Sequence, residues 1–487
     1  MNQLLLRYLG IGSDRMDFES RNLRRRRGTV RLACENLEGR QMMSGITASL
    51  NTSFKPPVLV INGSPNSNDT IHVTESGGNV SVVGVSIAQT RVVAGVPITI
   101  YATSVPAASL GSIQIIPGAG NDLIQLDASV KVNATVYAGS GNNTVIAGSG
   151  TDTIWAGNGT DTLISIGGGH NTIFGGTGLD TFWVDSTVKV LNVNVAEKVL
   201  GTVHTITAFA FLFQAKPGGG FNIDAPQLAL NNPQLLDPTT TIPGASVKNF
   251  SSDPLFATGG PAPGDIQQGA AGDCVFLAPL KGIAKYEPFL IRQMIVGLGD
   301  GTYVVDFKPN GAKGPDDFIR VNADLPVNSA GNPLYAKLGP QNSLWPALLE
   351  KAWCFERPTA TGWWNQNVGT YGMINGGGPN ELYSKMSLPW VSLNSSNLWN
   401  EVVADVSAGM MVTLQTPASV SPGLVASHCY VVDHLNYSTV NILGVSIKYV
   451  SSITLRNPWG GSNEFVNVSY TTVKAGNFNS GCAATSI

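Results

Sequence analysis

Short runs in which apolar and polar residues alternate fill the first half of the chain. Residues 46–117 contain the runs PPVLVING, DTIHVTE and NVSVVGVSI, which Gly, Asn and Ser separate. Residues 118–182 carry pairs of one threonine and one large apolar residue between glycines. Alternation with a period of two, broken by turn-forming residues, is typical of β-strands. The pattern therefore predicts an all-β domain over 46–186, with 46–117 forming its first coils or a cap.

The pattern changes after residue 186. Residues 187–250 are rich in proline and amides, as in PQLALNNPQLLDPTTTIPG, and predict a connector. Within them, ITAFAFLF at 206–213 predicts a buried strand or a short core helix. No run of about 18 apolar residues exists, so the sequence predicts no transmembrane segment. Most of the nine tryptophans follow residue 340, which indicates a second, differently packed domain over 251–487.

Composition narrows the class of protein. The 487 residues suffice for about three domains, and a hydrophobic fraction of 43% excludes a wholly disordered chain. The net charge of −3, without a broadly basic domain, argues against nucleic-acid binding. Residues 1–45 differ, because they contain RRRR and ENLEGR. We interpret them as a disordered or removable leader, similar in layout to arginine-rich leaders with an LExR-type motif on some bacterial surface and exported proteins. A solvated basic tail is the alternative.

A short sequence repeats over 138–182. The segments AGSGNNTVI, AGSGTDTIW, AGNGTDTLI, IGGGHNTIF and GGTGLDTFW follow one another, and an isolated copy, GAGNDLI, precedes them. The glycines permit turns with positive φ and leave backbone carbonyls free. The threonine-apolar pair after each turn predicts a very short strand. An acidic or amide residue recurs at Asn143, Asp152, Asp161, Asn171 and Asp180.

This repeat resembles the RTX, or haemolysin-type, calcium-binding nonapeptide, G-G-x-G-x-D-x-U-x. The resemblance implies a parallel β-roll with core 118–182, in which two repeats form one coil. Calcium between the turns would be bound by carbonyl oxygens and by the acidic positions, because calcium prefers hard oxygen ligands. Asparagine stands at two of the five positions, and a calcium-free roll serving as a spacer or adhesive stalk is the alternative. The predicted metal ligands are Asn143, Asp152, Asp161, Asn171 and Asp180.

A single cysteine stands out in the second half. In DIQQGAAGDCVFLAPL, glycines precede Cys274 and helix-compatible apolar residues follow it. This order places Cys274 at a helix N-terminus, where unpaired N–H groups and the helix dipole lower the pKa of a thiol. Gln268 lies six residues upstream, close enough for its amide to form an oxyanion hole with the backbone N–H of Cys274. A buried, unreactive thiol is the alternative.

Two downstream residues complete a nucleophilic site. His428 lies in the strand-like run ASHCYVVDHL, and Asn457 ends the β-rich run SSITLRNPWGG. A cysteine protease needs a thiolate, an imidazole that moves protons and an amide that holds the imidazole's tautomer. His434 competes with His428 on the same strand face. Cys354 and Cys429 are interpreted as packing residues.

At these residues the sequence resembles the calpain-type cysteine proteases of the papain-like group. The motifs QGAAGDCVFLAPL, LWPALLEKAW, TYGMINGGG, SHCYVV and LRNPWGG occur in the family's order over about 230 residues. The resemblance implies Cys274 as nucleophile, His428 as general base and acid, and Asn457 as the residue that orients His428. It also implies Gln268 as the oxyanion-hole donor and Trp459 as a shield over the histidine–asparagine hydrogen bond.

The sequence departs from the family at several positions. Val275 follows the nucleophile where the family usually has tryptophan, and Ser427 replaces the common glycine before the histidine. The resemblance also implies calcium within the protease core. Asp265 fits one acidic position of that site, but Gly372 stands where the family has glutamate. Calcium in the protease core is therefore doubtful.

Together these patterns predict a multidomain protein with a parallel β-roll or β-helix-like all-β domain and an α+β papain-like calpain catalytic domain. We expect a cysteine endopeptidase that acts on protein or peptide substrates. The alternatives are a catalytically inactive calpain-like module, an acyl transferase of papain-like fold, and a calcium-binding surface or adhesion protein. We expect an extracellular or cell-surface location of bacterial type, and association with a cell surface is left open.

Overall fold

The computed structural model describes the chain in seven stretches. They are residues 45–209, 213–215, 221–223, 235–308, 316–357, 369–443 and 445–485. The arginine-rich leader and part of the ITAFAFLF segment lie outside the described residues.

Strands β1 to β17 and helix α1 form the described chain up to Ile206. Their bounds are β1 Thr47–Asn51, β2 Val58–Asn62, β3 Thr70–Ser76, β4 Asn79–Val82, β5 Ile87–Val93, β6 Val96–Ala102, β7 Val105–Pro106, β8 Ser112–Ile116, β9 Leu123–Leu126, β10 Ala134–Tyr137, β11 Thr144–Ile146, β12 Thr153–Trp155, β13 Thr162–Ser165, β14 Thr172–Phe174, β15 Thr181–Asp185, β16 Lys189–Leu191, α1 Val195–Leu200 and β17 Val203–Ile206.

From β8 onward these strands wind into a β-solenoid with two parallel sheets. Even-numbered strands lie in one sheet and odd-numbered strands in the other, so two repeats complete one coil. Val136 pairs with Ile154, and Ile154 with Ile173, and all three side chains are fully buried. Their stacking fills the interior with one apolar residue per strand. The β-roll prediction is confirmed.

The N-terminal strands close one end of the solenoid. β2 pairs in parallel with β8, and β3 pairs in parallel with β9. The remaining pairs in this region include the antiparallel hairpins β1–β2, β3–β4 and β5–β6. Antiparallel hairpins at the end of a parallel stack cover the edge that would otherwise face solvent. Residues 46–117 thus act as a cap.

The solenoid extends beyond the boundary predicted at residue 186. β16 pairs in parallel with β14, and β17 with β15, so the coil continues through the first 20 residues of the predicted connector. Glu197 of α1 accepts a hydrogen bond from the Asp180 backbone N–H (2.8 Å), as the acidic residue of a further repeat would. The predicted boundary was therefore placed too early. The acidic residue of this last coil, Glu197, lies in a helix and does not follow a glycine turn, so the repeat pattern does not reveal it.

The second part of the chain contains six helices and thirteen strands within the described residues. Their bounds are β18 Phe213–Ala215, β19 Phe221–Ile223, β20 Ser246–Asn249, α2 Cys274–Tyr286, α3 Pro288–Met294, β21 Ile295–Gly297, β22 Thr302–Phe307, β23 Asp317–Asn322, β24 Asp324–Val327, α4 Trp345–Glu356, α5 Asn380–Lys385, β25 Trp390–Ser392, α6 Leu398–Ser407, β26 Met411–Gln415, β27 Cys429–Ile442, β28 Val445–Arg456, β29 Phe465–Ser469, α7 Tyr470–Lys474 and β30 Ser480–Ala484. Short 3₁₀ turns lie at Ala107–Ser109, Pro263–Asp265, Pro340–Asn342, Tyr371–Ile374, Ser395–Asn397 and Gly461–Asn463.

These elements form two lobes. One lobe combines α2 to α5 with the antiparallel sheet β21–β22–β23, and its core includes Phe276, Trp345 and Trp353. The other is a six-stranded antiparallel sheet in the order β25–β30–β26–β27–β28–β29, with Tyr430 and Ile453 in its core. α2 packs against β26 and β27 and so connects the lobes. This α+β domain agrees with the predicted fold class.

The solenoid and the first lobe share a small core of their own. Apolar side chains from both parts pack together there, among them Ile164 and Trp183 from the solenoid and Val304 and Phe318 from the lobe. His204 beside them bonds to Asp306 (2.9 Å) and Gln293 (2.9 Å), and Gln293 bonds to Thr181 (2.5 Å). Buried polar groups that are bonded in this way fix the relative register of the packed surfaces.

Candidate functional site

The structure places Cys274 at the first residue of α2. Its side chain is only 6% exposed, and it packs against Val275, Ala278 and Cys429. The pKa of Cys274 is lowered to about 4. The interaction with the Cys429 thiol contributes most, and the neighbouring imidazole of His428 adds to it, although burial opposes both. A thiol with this pKa is a thiolate at neutral pH, which is the nucleophilic form.

His428 and Asn457 meet because of the pairing of two long strands. Val431 of β27 pairs with Arg456 of β28, so the residue just before β27 and the residue just after β28 lie at the same end of the ladder. There the His428 Nε2–H donates to Asn457 Oδ1 over 2.9 Å. The other ring nitrogen is left for Cys274, whose pKa the neighbouring imidazole lowers.

The orientation of the Asn457 amide follows from its second partner. The Trp459 backbone N–H donates to Asn457 Oδ1 over 3.0 Å. Because an N–H can only donate, the atom between Trp459 and His428 is the amide oxygen. His428 therefore carries its proton on Nε2 when neutral, and Nδ1 is the nitrogen that accepts a proton from Cys274.

Aromatic rings cover this pair. The Trp459 ring lies 4.9 Å from the His428 ring, centre to centre and tilted by 51°. The Tyr430 ring stands at 84° to the imidazole at 5.0 Å. His428 and Asn457 are 4% and 1% exposed, so water has little access to the bond between them. This is the shielding position that the sequence predicts for Trp459.

Ser427 has a backbone conformation that explains the glycine of the family motif. Its φ is +49°, in the left-handed region that L-residues other than glycine rarely adopt. The turn brings the His428 N–H to Thr416 Oγ1 (2.9 Å) and the Thr416 N–H to the His428 carbonyl (2.8 Å). These two bonds fix the backbone of the histidine.

Gln268 lies on the loop that leads into α2, but its amide is partly engaged. Its Nε2 donates to the Ala271 carbonyl over 2.7 Å, while its Oε1 is buried without a partner. Its backbone N–H donates to the Pro458 carbonyl (2.9 Å), which connects this loop to the Asn457 turn. One amide hydrogen of Gln268 remains for a substrate oxygen.

The competing histidine is far less suited to the site. His434 is 53% exposed at its side chain and bonds to Asp433 over 2.8 Å. A register shift between Val432 and His434 interrupts the alternation that would have put both histidines on one face. A bulge of this kind cannot be recognised in the single sequence.

Sequence reasoning missed two groups at the site. Cys429, interpreted as a packing residue, packs against the nucleophile Cys274. Asp273 and Glu350 form a fully buried pair of carboxyls beside the nucleophile, and burial raises the pKa of both, that of Glu350 to about 7. The charge of Glu350 adds to the rise in the pKa of Asp273, because like charges repel. An acid next to the cysteine and another in the apolar helix LLEKAW were the available signals.

The predicted metal ligands divide between the two edges of the solenoid. Asn143, Asp161 and Asp180, together with Asp122, precede strands of the odd-numbered sheet. Each accepts the backbone N–H of the preceding residue in this ladder, as in Asn143 N–H to Asp161 Oδ1 (2.7 Å). Asp152 and Asn171 form a similar ladder at the other edge, with 2.6 Å from the Asp152 N–H to Asn171 Oδ1.

Only one edge has carboxylate oxygens that lack partners. The Oδ2 atoms of Asp122, Asp161 and Asp180 are buried without a hydrogen bond. Asp152, in contrast, uses both oxygens, which accept from Ala134 (2.7 Å) and Gly148 (3.2 Å). Oxygens of this kind fit a hard cation such as calcium, which would supply the missing partner.

The glycine turns differ between the same two edges. At the Asp161 edge, Gly139, Gly141, Gly157 and Gly159 all have positive φ. At the Asp152 edge, Gly148 and Gly150 do not, and of the three glycines before Asn171 one, Gly167, does. Within the described ranges no three His, Cys, Asp or Glu side chains form a metal cluster, so a calcium ion here also needs carbonyl ligands. The Asp161 edge offers both kinds of oxygen.

Comparisons with known proteins agree with this architecture. Residues 236–470 match the family model of the calpain family cysteine proteases, and residues 133–163 and 166–186 match that of the RTX calcium-binding nonapeptide repeat. The chain thus contains a calpain-type cysteine protease domain preceded by RTX repeats. The predicted resemblances are confirmed, and so is calcium as the ion of the repeat region.

Individual relatives resemble only part of the chain. The calpain-type cysteine protease ADL1 of Oryza sativa subsp. japonica is 25% identical over 45% of this chain and 10% of its own length. Human calpain-14 is 27% identical over 40% of this chain and 28% of its own. The calpain-2 catalytic subunit of Gallus gallus is 28% identical over 43% and 30%. The chain therefore spans less than a third of the length of these relatives.

The sequence predicts no transmembrane segment. Among the described residues, no helix has the length and apolar character needed to cross a bilayer.

Proposed function

We propose that this chain is a cysteine endopeptidase with Cys274, His428 and Asn457 as its catalytic triad. The observation that carries the proposal is the meeting of a thiolate at a helix N-terminus with an imidazole whose tautomer an amide oxygen fixes. The calpain-type domain supports the same chemistry. Its substrates would be proteins or peptides.

The proposed reaction has two halves. The Cys274 thiolate attacks the peptide carbonyl carbon, and His428 gives a proton to the leaving amine as the thioester forms. Neutral His428 then removes a proton from water, which attacks the thioester and releases the acid. The backbone N–H of Cys274 and the free amide hydrogen of Gln268 would stabilise the oxyanion in both halves.

Ion pairs connect the elements that carry the nucleophile and Asn457. Lys281 of α2 is fully buried and bonds to Glu464 over 3.0 Å, and Arg456 bonds to the same carboxylate over 2.7 Å. The Asn457 N–H in turn donates to the Glu464 carbonyl (2.7 Å). Glu464 therefore connects the helix of the nucleophile with the turn of Asn457, which supports a preorganised site.

We propose that calcium acts through the solenoid. Calcium at the Asp161 edge would stabilise the coils, and the shared core around Trp183 would pass this stability to the first lobe. Calcium sites of extracellular modules have dissociation constants of about 10⁻⁴ to 10⁻³ M, and a site of this strength in the repeats would be filled only where calcium is abundant, as it is outside cells. This supports an extracellular or cell-surface location. Export is tested by expressing the chain with and without residues 1–45 and measuring the protein in the medium.

The decisive experiment on activity uses an alkylating cysteine probe. Wild type and Cys274→Ala are labelled with and without calcium, and casein cleavage is measured in parallel. We expect the wild type to be labelled at Cys274 and to cleave casein. We expect Cys274→Ala to lose the label at that position and to cleave no casein. Equal labelling of both proteins, with no cleavage by either, would contradict the proposal. Labelling of Cys274 without cleavage would favour a catalytically inactive calpain-like module.

A further inference from the structure

A second buried cysteine contacts the nucleophile. Cys429 follows His428 directly and begins β27, and its side chain is fully buried. It packs with Cys274, Val275 and Ala278 in one small cluster. The proximity of Cys429 is also the largest cause of the lowered pKa of Cys274. The two cysteine side chains therefore pack together at the N-terminus of α2.

The other described cysteines have different surroundings. Cys354 lies on α4, where its thiol donates to the Glu350 carbonyl over 3.4 Å. Cys482 lies on β30, opposite Thr413 of β26. All four described cysteines are free thiols. Among the described cysteines, Cys429 alone packs in the same cluster as Cys274, and disulfide formation requires such proximity.

The two thiols differ in reactivity. Cys274 is a thiolate at neutral pH, whereas the hydrogen bond to Cys274, together with burial, raises the pKa of Cys429. A thiolate is the form that reacts with peroxides, so oxidation begins at Cys274. Once Cys274 has become a sulfenic acid, its negative charge is gone, so its contribution to the raised pKa of Cys429 is removed while the effect of burial remains.

We propose that Cys429 is a resolving cysteine, which forms a reversible disulfide with Cys274 when a hydroperoxide oxidises the active site. This inference rests on the reactive thiolate of the proposed protease. It assigns a modification site that switches the enzyme off while protecting the nucleophile from irreversible oxidation.

The chemistry balances in two steps. The Cys274 thiolate attacks one oxygen of the hydroperoxide ROOH, so an S–O bond forms, the O–O bond breaks, and the alkoxide takes a proton from the imidazolium of His428 to leave as ROH. The Cys429 sulfur then attacks the sulfenic sulfur, so the S–S bond forms, the S–O bond breaks, and hydroxide leaves with the Cys429 proton as water. Two thiols are oxidised, and one peroxide is reduced.

The experiment uses the full chain and hydrogen peroxide. Wild type, Cys429→Ala and the matched control Cys482→Ala are oxidised, blocked with iodoacetamide, digested and mapped by mass spectrometry. We expect a peptide pair joined through Cys274 and Cys429 in the wild type and in Cys482→Ala. In Cys429→Ala we expect sulfinic or sulfonic acid at Cys274 instead. Absence of the joined pair from oxidised wild type would overturn the inference.

A recovery measurement gives a second, independent readout. After oxidation and treatment with dithiothreitol, alkylation of Cys274 should return in the wild type and in Cys482→Ala, but should be lost in Cys429→Ala. Equal recovery in all three proteins would contradict a resolving role. If Cys429→Ala does not fold, Cys429→Ser takes its place. If neither variant folds, the peptide map of the wild type decides alone. Because the readouts are alkylation and mass, a wild type that forms the disulfide but cleaves no casein would refute the protease and leave this inference standing.

Discussion

At the scale of single residues, Asn457 makes the most specific contribution to the site. Its Oδ1 accepts from His428 and from the Trp459 backbone, so it fixes one tautomer of the imidazole. We expect Asn457→Ala to lower kcat on casein by about 10²-fold, because proton transfer by a positioned base contributes on that scale. Substrate KM should change little, since Asn457 is buried behind the reacting atoms.

Asn436 provides the control for this prediction. It lies in the same hairpin and bonds to Ser452 and Thr454, away from the site. Asn436→Ala should leave kcat near the wild-type value. A similar loss in both variants would show that the effect comes from the hairpin and not from the imidazole.

Ser427 supplies a second prediction at this scale. A left-handed conformation costs an L-residue about 1–2 kcal/mol. Glycine avoids this strain but costs about 0.4–1 kcal/mol, because it gives the unfolded chain more conformational entropy to lose on folding. Ser427→Gly should therefore raise the free energy of unfolding by about 0.5 kcal/mol, measured by urea denaturation. Ser49→Gly on β1, where the backbone is extended, should lower it. A loss of stability in Ser427→Gly would contradict the strain at φ +49°.

At the scale of elements, the two edges of the solenoid should respond differently to the same substitution. Asp161 has an unpartnered oxygen, whereas both oxygens of Asp152 accept backbone N–H groups. Asp161→Asn should reduce the rise in melting temperature that calcium causes, measured by calorimetry. Asp152→Asn should lower the melting temperature by the same amount with and without calcium. If Asp152→Asn alone abolished the calcium effect, the assignment of the edge would be wrong.

The same carboxyls predict a pH dependence. Burial raises the pKa of Asp161 from 3.8 to about 6 and that of Asp180 to about 7. Since folding favours their protonated form, their contribution to stability is complete below about pH 4 and is lost as pH rises through 6 to 7. Calcium requires the ionised form, so it should raise the melting temperature more at about pH 8 than at about pH 5. Equal gains at both pH values would contradict a role for these carboxyls.

The sequence was sufficient where a pattern is local. The Thr-apolar pairs predicted the strands of the solenoid, and the motifs around Cys274, His428 and Asn457 predicted three side chains that the fold brings together. It was insufficient where contact depends on register. Three features follow from tertiary pairing, which a single sequence does not contain. They are the bulge before His434, the packing of Cys429 against Cys274, and the hydrogen bond from the Asp180 N–H to Glu197.

At the scale of the whole molecule, the shared core decides whether solenoid and protease unfold together. Trp183 is fully buried, stacks on His204 with ring centres 4.0 Å apart, and meets Phe318 of β23 edge-on at 6.4 Å. Trp155, in contrast, is 41% exposed and stacks on Phe174 outside the coil. These two tryptophans of the same solenoid therefore form a matched pair of sites for substitution.

We expect Trp183→Ala to cost about 3–5 kcal/mol and to split a single calorimetric transition into two, because the cavity removes the packing that connects the parts. Calcium should then raise the melting temperature of the solenoid alone. Calcium should no longer protect casein cleavage against heat inactivation in this variant. Trp155→Ala should keep one transition and the full calcium effect. If calcium protected the protease in Trp183→Ala as well as in the wild type, the packing of Trp183 would not be what couples the two parts. The polar contacts of His204 would then couple them, and His204→Ala would be the variant that separates their unfolding.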